Sequence, residues 1–210
     1  MKLQIALDTL NIEESLDLLD EIHDEIDIVE VGTPFIIREG VKPVEIFKER
    51  YDDIEILADL KIMDAGGYES KIALDKGADI VTVMALTNKE TIVSTINECH
   101  KYGKKAMIDM MNVDNLAEMA KEFVEMGADY ICVHTAFDVQ SSTNNPVKDL
   151  ELLCANIDHN KAAVAGGVKL ETIDLVAKEK PGIIIVGGAI SNAQDRKQMT
   201  LELKKHMEEA

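Results

Sequence analysis

Short apolar runs rich in β-branched residues alternate with amphipathic stretches from one end of the chain to the other. Eight such runs stand at 3–7, 28–31, 55–58, 80–83, 105–108, 130–133, 162–164 and 183–186. A short, continuously apolar run reads as a strand buried on both faces, and the stretches between carry helical periodicity. The clearest stripe is Leu116, Met119, Ala120, Phe123 and Met126, whose spacing puts all five on one face that should pack on the sheet. Repeated βα units predict an α/β protein, and eight of them predict a closed (β/α)8 TIM barrel forming a single domain over 1–210. An open doubly wound sheet would also alternate β and α. No G-x-G-x-x-G follows the first run, which ends instead at Asp8, and this favours closure.

Local signals agree with that division. Asn11 stands three residues before Glu14, and Thr87 three before Glu90, so each pair is predicted to form a capping box at a helix start. Gly77-Ala78-Asp79-Ile80-Val81 recurs about 50 residues later as Gly127-Ala128-Asp129-Tyr130-Ile131, each at a junction from helix into strand. No linker, low-complexity tract or charge block divides the chain, and the longest polar loop is read at 140–145.

Forty acidic against 22 basic residues give a formal charge of -18, which repels phosphate backbones and anionic membranes. Neither nucleic acid nor a membrane is an expected partner. Residues 1–7 are too short an apolar run, and too soon broken by Asp8, to read as a signal peptide, and no run approaches a bilayer span. Cys99, Cys132 and Cys154 are odd in number and far apart, so they read as reduced thiols of a cytoplasmic protein.

In a barrel of this class the chemistry gathers where the strands end, so the residues closing each run matter most. Those are Asp8, then Glu30 with Gly32 and Thr33, then Asp59 and Lys61, Asp109, His134, Gly166-Gly167 and Gly187-Gly188, while the fourth run offers nothing obvious at Thr82 or Met84. Singly, a polar residue after a strand is most often a cap or turn former. Four carboxylates, one lysine and one histidine on one rim would repel one another without a ligand, and a bound cation would relieve that repulsion. Oxygen donors such as Glu30 and Asp59 suit Mg2+ and fit zinc poorly. If Asp59 and Lys61 both lie in extended backbone, they share the face at the mouth, with Asp64 in the loop beyond. The glycine pairs of the seventh and eighth βα turns, Gly166-Gly167 and Gly187-Gly188, suit a phosphate held by backbone N–H groups. His134, the side chain titrating nearest neutral pH, is the expected proton-transfer group. His23, His100, His159 and His206 fall on polar helix faces or loops and receive no role.

The motif Asp59-Leu60-Lys61-Ile62-Met63-Asp64, with Gln4-Ile5-Ala6-Leu7-Asp8, Val29-Glu30-Val31-Gly32-Thr33-Pro34 and Tyr130-Ile131-Cys132-Val133-His134-Thr135, resembles the 3-hexulose-6-phosphate synthase family. That family lies within the orotidine 5'-monophosphate decarboxylase suprafamily, and the resemblance runs nearly the whole chain. The D-x-K-x-x-D motif alone identifies only the suprafamily. The sibling 3-keto-L-gulonate 6-phosphate decarboxylases carry arginine where this chain has Phe137, and again where it has Gly188, which favours the synthases. Ala189 stands where the synthases usually have a third glycine.

The resemblance implies an aldehyde-lyase performing a reversible, Mg2+-dependent aldol reaction, and leaves open whether Mn2+ can substitute. Formaldehyde and D-ribulose 5-phosphate would give D-arabino-hex-3-ulose 6-phosphate through an enediolate stabilised by the metal. It assigns Glu30 and Asp59 to the metal, proton transfer to His134, charge stabilisation to Lys61, and orientation of hydroxyls or water to Asp8 and Asp109. It also implies a homodimer in which Asp64 reaches the partner subunit's site. The alternatives are the decarboxylase activity, which shares the enediolate, and a non-catalytic phosphosugar-binding barrel.

Overall fold

The computed structural model describes residues 1–140 and 146–210, so the polar loop read at 140–145 lies, beyond Gln140, outside the described residues. Eight parallel strands close in sequence order: β1 (Lys2–Leu7), β2 (Ile28–Val31), β3 (Glu55–Ile62), β4 (Ile80–Met84), β5 (Lys105–Asp109), β6 (Tyr130–His134), β7 (Ala162–Ala165) and β8 (Ile183–Val186). Closure is by β1 against β8, with Lys2 opposite Ile183 and Ile5 opposite Val186. The helices are α1 (Ile12–Ile22), α2 (Thr33–Glu39), α3 (Lys42–Arg50), α4 (Gly66–Leu74), α5 (Lys89–Lys101), α6 (Leu116–Glu125), α7 (Val147–Cys154), α8 (Ile173–Ala177), α9 (Gly188–Ser191) and α10 (Arg196–Glu209). None of them is long and apolar enough to cross a membrane, among the described residues.

Alternation along each strand divides the buried side chains into two sets. Val29, Val31, Ile56, Ala58, Val81, Val83, Ile131 and Val133 face the helices, where they join Leu18, Phe47, Ile92 and Phe123. Ile28, Leu57, Ile80, Met107, Cys132, Ala163 and Ile183 form a second cluster that fills the barrel. Apart from Gln4 in β1 and Thr82 in β4, both faces of the strands are apolar in the middle, which is why the runs read as continuous hydrophobic segments. The stripe on α6 behaves as its spacing predicts: Leu116, Ala120 and Phe123 are buried, while Met119 and Met126 pack against the core from its edge.

Asn11 and Glu14 form the expected reciprocal cap at α1, each side chain hydrogen-bonding the other's backbone N–H over 2.9 Å. The box expected from Thr87 is not formed. Asn88 takes the cap position of α5, and the Thr87 hydroxyl donates to Met63 O instead, tying the two βα loops together. The recurring Gly-Ala-Asp is a structural module. Gly77 (φ 93°) and Gly127 (φ 102°) make left-handed turns, and the following Asp79 and Asp129 each accept from a backbone N–H of the preceding strand, Ile56 and Ala106, at 2.9 Å.

Candidate active site

The strands run further than their apolar cores suggest, so Asp59, Asp109 and His134 lie within strands rather than after them. Strand β3 is irregular: Ala58 pairs with Val81 and Ile62 with Val83, so four positions on β3 match two on β4. Lys61 sits in this bulge at φ 46°, a left-handed conformation that is strained for a residue with a side chain. The structure therefore corrects the basis on which Asp59 and Lys61 were expected to share a face. Their proximity comes from the bulge and not from simple alternation. Lys61 Nζ donates to Asp59 Oδ2, and lies 3.6 Å from Asp109 Oδ2.

The bulge is held by a residue that sequence reading passed over. Thr82 Oγ1 accepts from Lys61 N at 3.0 Å and donates to Asp59 Oδ1 at 2.7 Å, so one hydroxyl fixes both the strained backbone and the carboxylate. Thr33 Oγ1 adds a second anchor, 2.7 Å from Asp59 Oδ2 and from Asp59 O. Gln4 completes the set of unforeseen polar residues: fully buried, it donates from Nε2 to Glu30 Oε2 at 2.6 Å. A signal for Gln4 and Thr82 was present, because each is a polar residue on the inward face of an otherwise apolar strand.

Asp109 is held by two protein groups. Its Oδ2 accepts from His134 Nδ1 at 2.8 Å and its Oδ1 from Met111 N at 2.9 Å. The same contact restrains the His134 ring through Nδ1. Asp8 lies just past β1 in electrostatic contact with Asp59, Lys61 and His134. It fits there because residue 32 is glycine: a Cβ at Gly32 would stand 2.0 Å from Asp8 Oδ1.

The charge states follow from this crowding. Burial pushes the Asp8 carboxyl up, and neighbouring Asp59 adds to the effect. Glu30 keeps some solvent exposure but is enclosed by protein on most sides, and desolvation followed by repulsion from Asp59 holds it well above the usual carboxylate range. Asp59 goes the other way. Burial opposes its ionisation, but Lys61, Thr33 and Thr82 together outweigh that and hold it below the usual value. Lys61 is likewise desolvated, and Asp59, Asp109 and Glu30 more than compensate, so its ammonium stays charged.

Other expected residues lie elsewhere. Asp64 is exposed in the β3–α4 loop, where its Oδ1 accepts from Ala65 N at 2.7 Å; it borders a shallow surface depression with Tyr68 and Ser94 and does not join the cluster of this subunit. Gly166 and Gly167 both adopt positive φ (91° and 75°), and a Cβ at Gly166 would stand 2.1 Å from Thr135 O. Gly187 and Gly188 open α9 at the end of the adjacent β8. Phe137 lies beyond β6 in a short 3-10 turn and is 85% exposed.

No group of three or more His, Cys, Asp or Glu side chains forms a ready-made metal cage among the described residues. The pair Glu30 and Asp59 nevertheless suits a hard divalent cation. Both offer oxygen, burial and then repulsion from Asp59 push Glu30 up, and a site with two protein ligands leaves positions for water and substrate oxygens.

A (β/α)8 barrel whose strand ends carry a lysine and a histidine, each held by a buried aspartate, defines the class, and residues 1–203 match the Orotidine 5'-phosphate decarboxylase / HUMPS family. The chain belongs to that family. It is 44% identical over 204 residues to the 3-hexulose-6-phosphate synthase of Bacillus subtilis (strain 168), covering 97% of each chain. The crystal structure of 3-hexulose-6-phosphate synthase from Salmonella typhimurium superposes with a TM-score of 0.96 at 40% identity, covering 100% of this chain and 99% of that one. The 3-keto-L-gulonate-6-phosphate decarboxylase from Vibrio cholerae O1 biovar El Tor str. N16961 superposes with a TM-score of 0.84 at 24% identity, covering 99% and 97%, and shares the fold.

Proposed function

We propose that this chain is an aldehyde-lyase joining formaldehyde to D-ribulose 5-phosphate, reversibly, to give D-arabino-hex-3-ulose 6-phosphate. The carrying observation is the linked row Asp59–Lys61–Asp109–His134 beside Glu30, which puts a fixed cation and an oriented imidazole at one mouth. The names of the synthase relatives supply the product, a 3-hexulose 6-phosphate, and the resemblance of the motifs to that family supplies formaldehyde and D-ribulose 5-phosphate.

Glu30 and Asp59 would hold Mg2+, with Mn2+ as a substitute, and the cation when bound supplies electrophilic polarisation of neighbouring carbonyl and hydroxyl oxygens on the substrate. His134, with Nδ1–H donated to Asp109, presents Nε2 to remove the proton from C1. The Lys61 ammonium stands close to the negative charge that develops on the oxygens of the resulting enediolate. C1 then attacks the formaldehyde carbon, and the proton held by His134 passes to the former formaldehyde oxygen. Atoms and charge balance without a redox partner. A Schiff base at Lys61 is the competing aldolase route, but an amine kept protonated by two aspartates is a poor nucleophile.

Backbone N–H groups of Gly166, Gly167, Gly187 and Gly188 would take the phosphate, the first pair from a turn at positive φ and the second from the start of α9. Asp64, exposed and apart from its own subunit's cluster, would serve the site of a second copy, making the working unit a homodimer. Met63, Tyr68 and Ile72, all exposed apolar side chains close to Asp64 in sequence, supply an interface of suitable chemistry. Three free, buried thiols suit the reducing cytoplasm.

Formaldehyde consumption with D-ribulose 5-phosphate, with and without Mg2+, tests the reading against CO2 release from 3-keto-L-gulonate 6-phosphate. Metal-dependent formaldehyde loss exceeding decarboxylation supports it. Dominant decarboxylation would assign the same site to the sibling reaction, and loss of neither substrate would leave a phosphosugar-binding barrel.

A further inference from the structure

The two carboxylates offered to the cation are held unequally. Asp59 takes hydrogen bonds from Lys61, Thr33 and Thr82, whereas among the described residues Glu30 accepts one side-chain hydrogen bond, from Gln4 Nε2 at 2.6 Å. Gln4 is itself fully buried inside the barrel, and its ladder partners on either side are Ile28 and Ile185. The other end of the same amide is unsatisfied: Gln4 Oε1 is buried with no hydrogen-bond partner. An orphaned buried amide oxygen destabilises a fold, and an unbranched apolar side chain of similar length would remove it. An amide at this position therefore weakens the core on one side while holding Glu30 on the other.

We propose that Gln4 is a positioning residue for the cation site, orienting the Glu30 carboxylate for ligation without itself touching substrate or reacting atoms. The physical basis is that a carboxylate facing Asp59 and Asp8 swings away from them unless something restrains it, and Gln4 is the restraint in reach. The inference rests on the reading that Glu30 and Asp59 bind the cation, so its test must be able to fail separately from that reading.

The test is a titration of the metal-free protein with Mn2+ alone, followed by electron paramagnetic resonance of the free ion, on the parent, Gln4→Met, Gln4→Leu and Glu30→Gln. Thermal midpoints of the metal-free proteins are recorded in parallel. The expected result is a Kd for Mn2+ raised about tenfold in both Gln4 variants, the scale seen when a ligand's supporting partner is removed. Their midpoints should stay close to the parent's, because the orphaned oxygen goes while Glu30 loses its donor. Glu30→Gln should lose most of the affinity. An unchanged Kd in the Gln4 variants, with Glu30→Gln impaired, overturns the role of Gln4 and leaves the ligand reading standing. An unchanged Kd in Glu30→Gln overturns the ligand reading and the inference with it. Lowered midpoints in both Gln4 variants, or failure of both to fold, would make Gln4 a structural residue and also overturn the proposal.

Discussion

His134 and Asp109 meet across neighbouring strands β6 and β5, with imidazole Nδ1 2.8 Å from carboxylate Oδ2. The register sets Cys132 opposite Asp109, so His134 projects from two positions further along, on the same inward face. The pairing engages one ring nitrogen, Nδ1, with the carboxylate.

Asp109→Asn should preserve the fold and lower kcat by about 10²-fold with KM nearly unchanged, since a general base held in the wrong orientation or tautomer is what is lost. His134→Asn should slow exchange of the C1 proton of D-ribulose 5-phosphate by about 10²- to 10⁴-fold. Deuterium incorporation from D2O followed by NMR measures both. Unchanged exchange in His134→Asn would move the base to another residue.

Thr82→Val keeps the shape of the side chain while removing the hydroxyl that serves Lys61 N and Asp59 Oδ1. A loss of about 1–3 kcal/mol is expected in urea unfolding, because a buried N–H and a buried carboxylate oxygen each lose a partner. Turnover should fall as well, as Asp59 is freed to move. A variant with parental stability and activity would show that the bulge is held by other means.

Lys61 should not form a covalent adduct. Treatment with borohydride in the presence of D-ribulose 5-phosphate, read by intact-protein mass spectrometry, is expected to leave the mass unchanged, and a reduced adduct would establish the Schiff-base route. The raised folded-state pKa has a second consequence. The charge on Lys61 stabilises the fold fully below the unfolded lysine value of about 10.4, and that contribution is lost as pH rises toward and through the folded value.

Asp79 makes the opposite prediction at low pH. Desolvation opposes its charge, but Lys104, the Ile56 N–H and Lys48 together hold its carboxyl below the usual value. Its contribution is therefore present above an unfolded pKa of about 3.9 and disappears as pH falls through the folded value. Asp79→Asn should cost about 1–2 kcal/mol at neutral pH, discounted because both lysines are partly exposed, and should flatten the acid limb of the stability profile. Thermal midpoints between pH 3 and 7 measure it, and parallel curves for parent and variant would refute the linkage.

Gly32→Ala is expected to displace Asp8, since the added Cβ would meet Asp8 Oδ1 at 2.0 Å. Activity should drop about tenfold or more, with some loss of stability because the Cβ would also stand 2.9 Å from Leu7 O. Steady-state kinetics with circular dichroism as a control distinguishes this from unfolding.

Much of the molecule can be read without coordinates, for a physical reason. Strands buried on both faces must be apolar throughout, so 28–31 or 183–186 announce themselves, and polar residues interrupting such runs at one end mark the mouth of a barrel. Asp8, Glu30, Asp59, Lys61, Asp109 and His134 were all visible on that ground, and the Asn11–Glu14 cap followed from spacing alone. Tertiary structure decided which of these groups bond to one another. The bulge that turns Lys61 onto Asp59 depends on β4 pairing out of step with β3, and the commitment of Asp109 to His134 depends on the register of β5 with β6. Thr82 and Gln4 gained their roles the same way, because a hydroxyl or amide on an inward face has no meaning until closure brings a carboxylate from another strand within reach. Local sequence sets periodicity and caps through contacts a few residues apart, whereas a site assembled from six strands is fixed by pairings between residues distant along the chain.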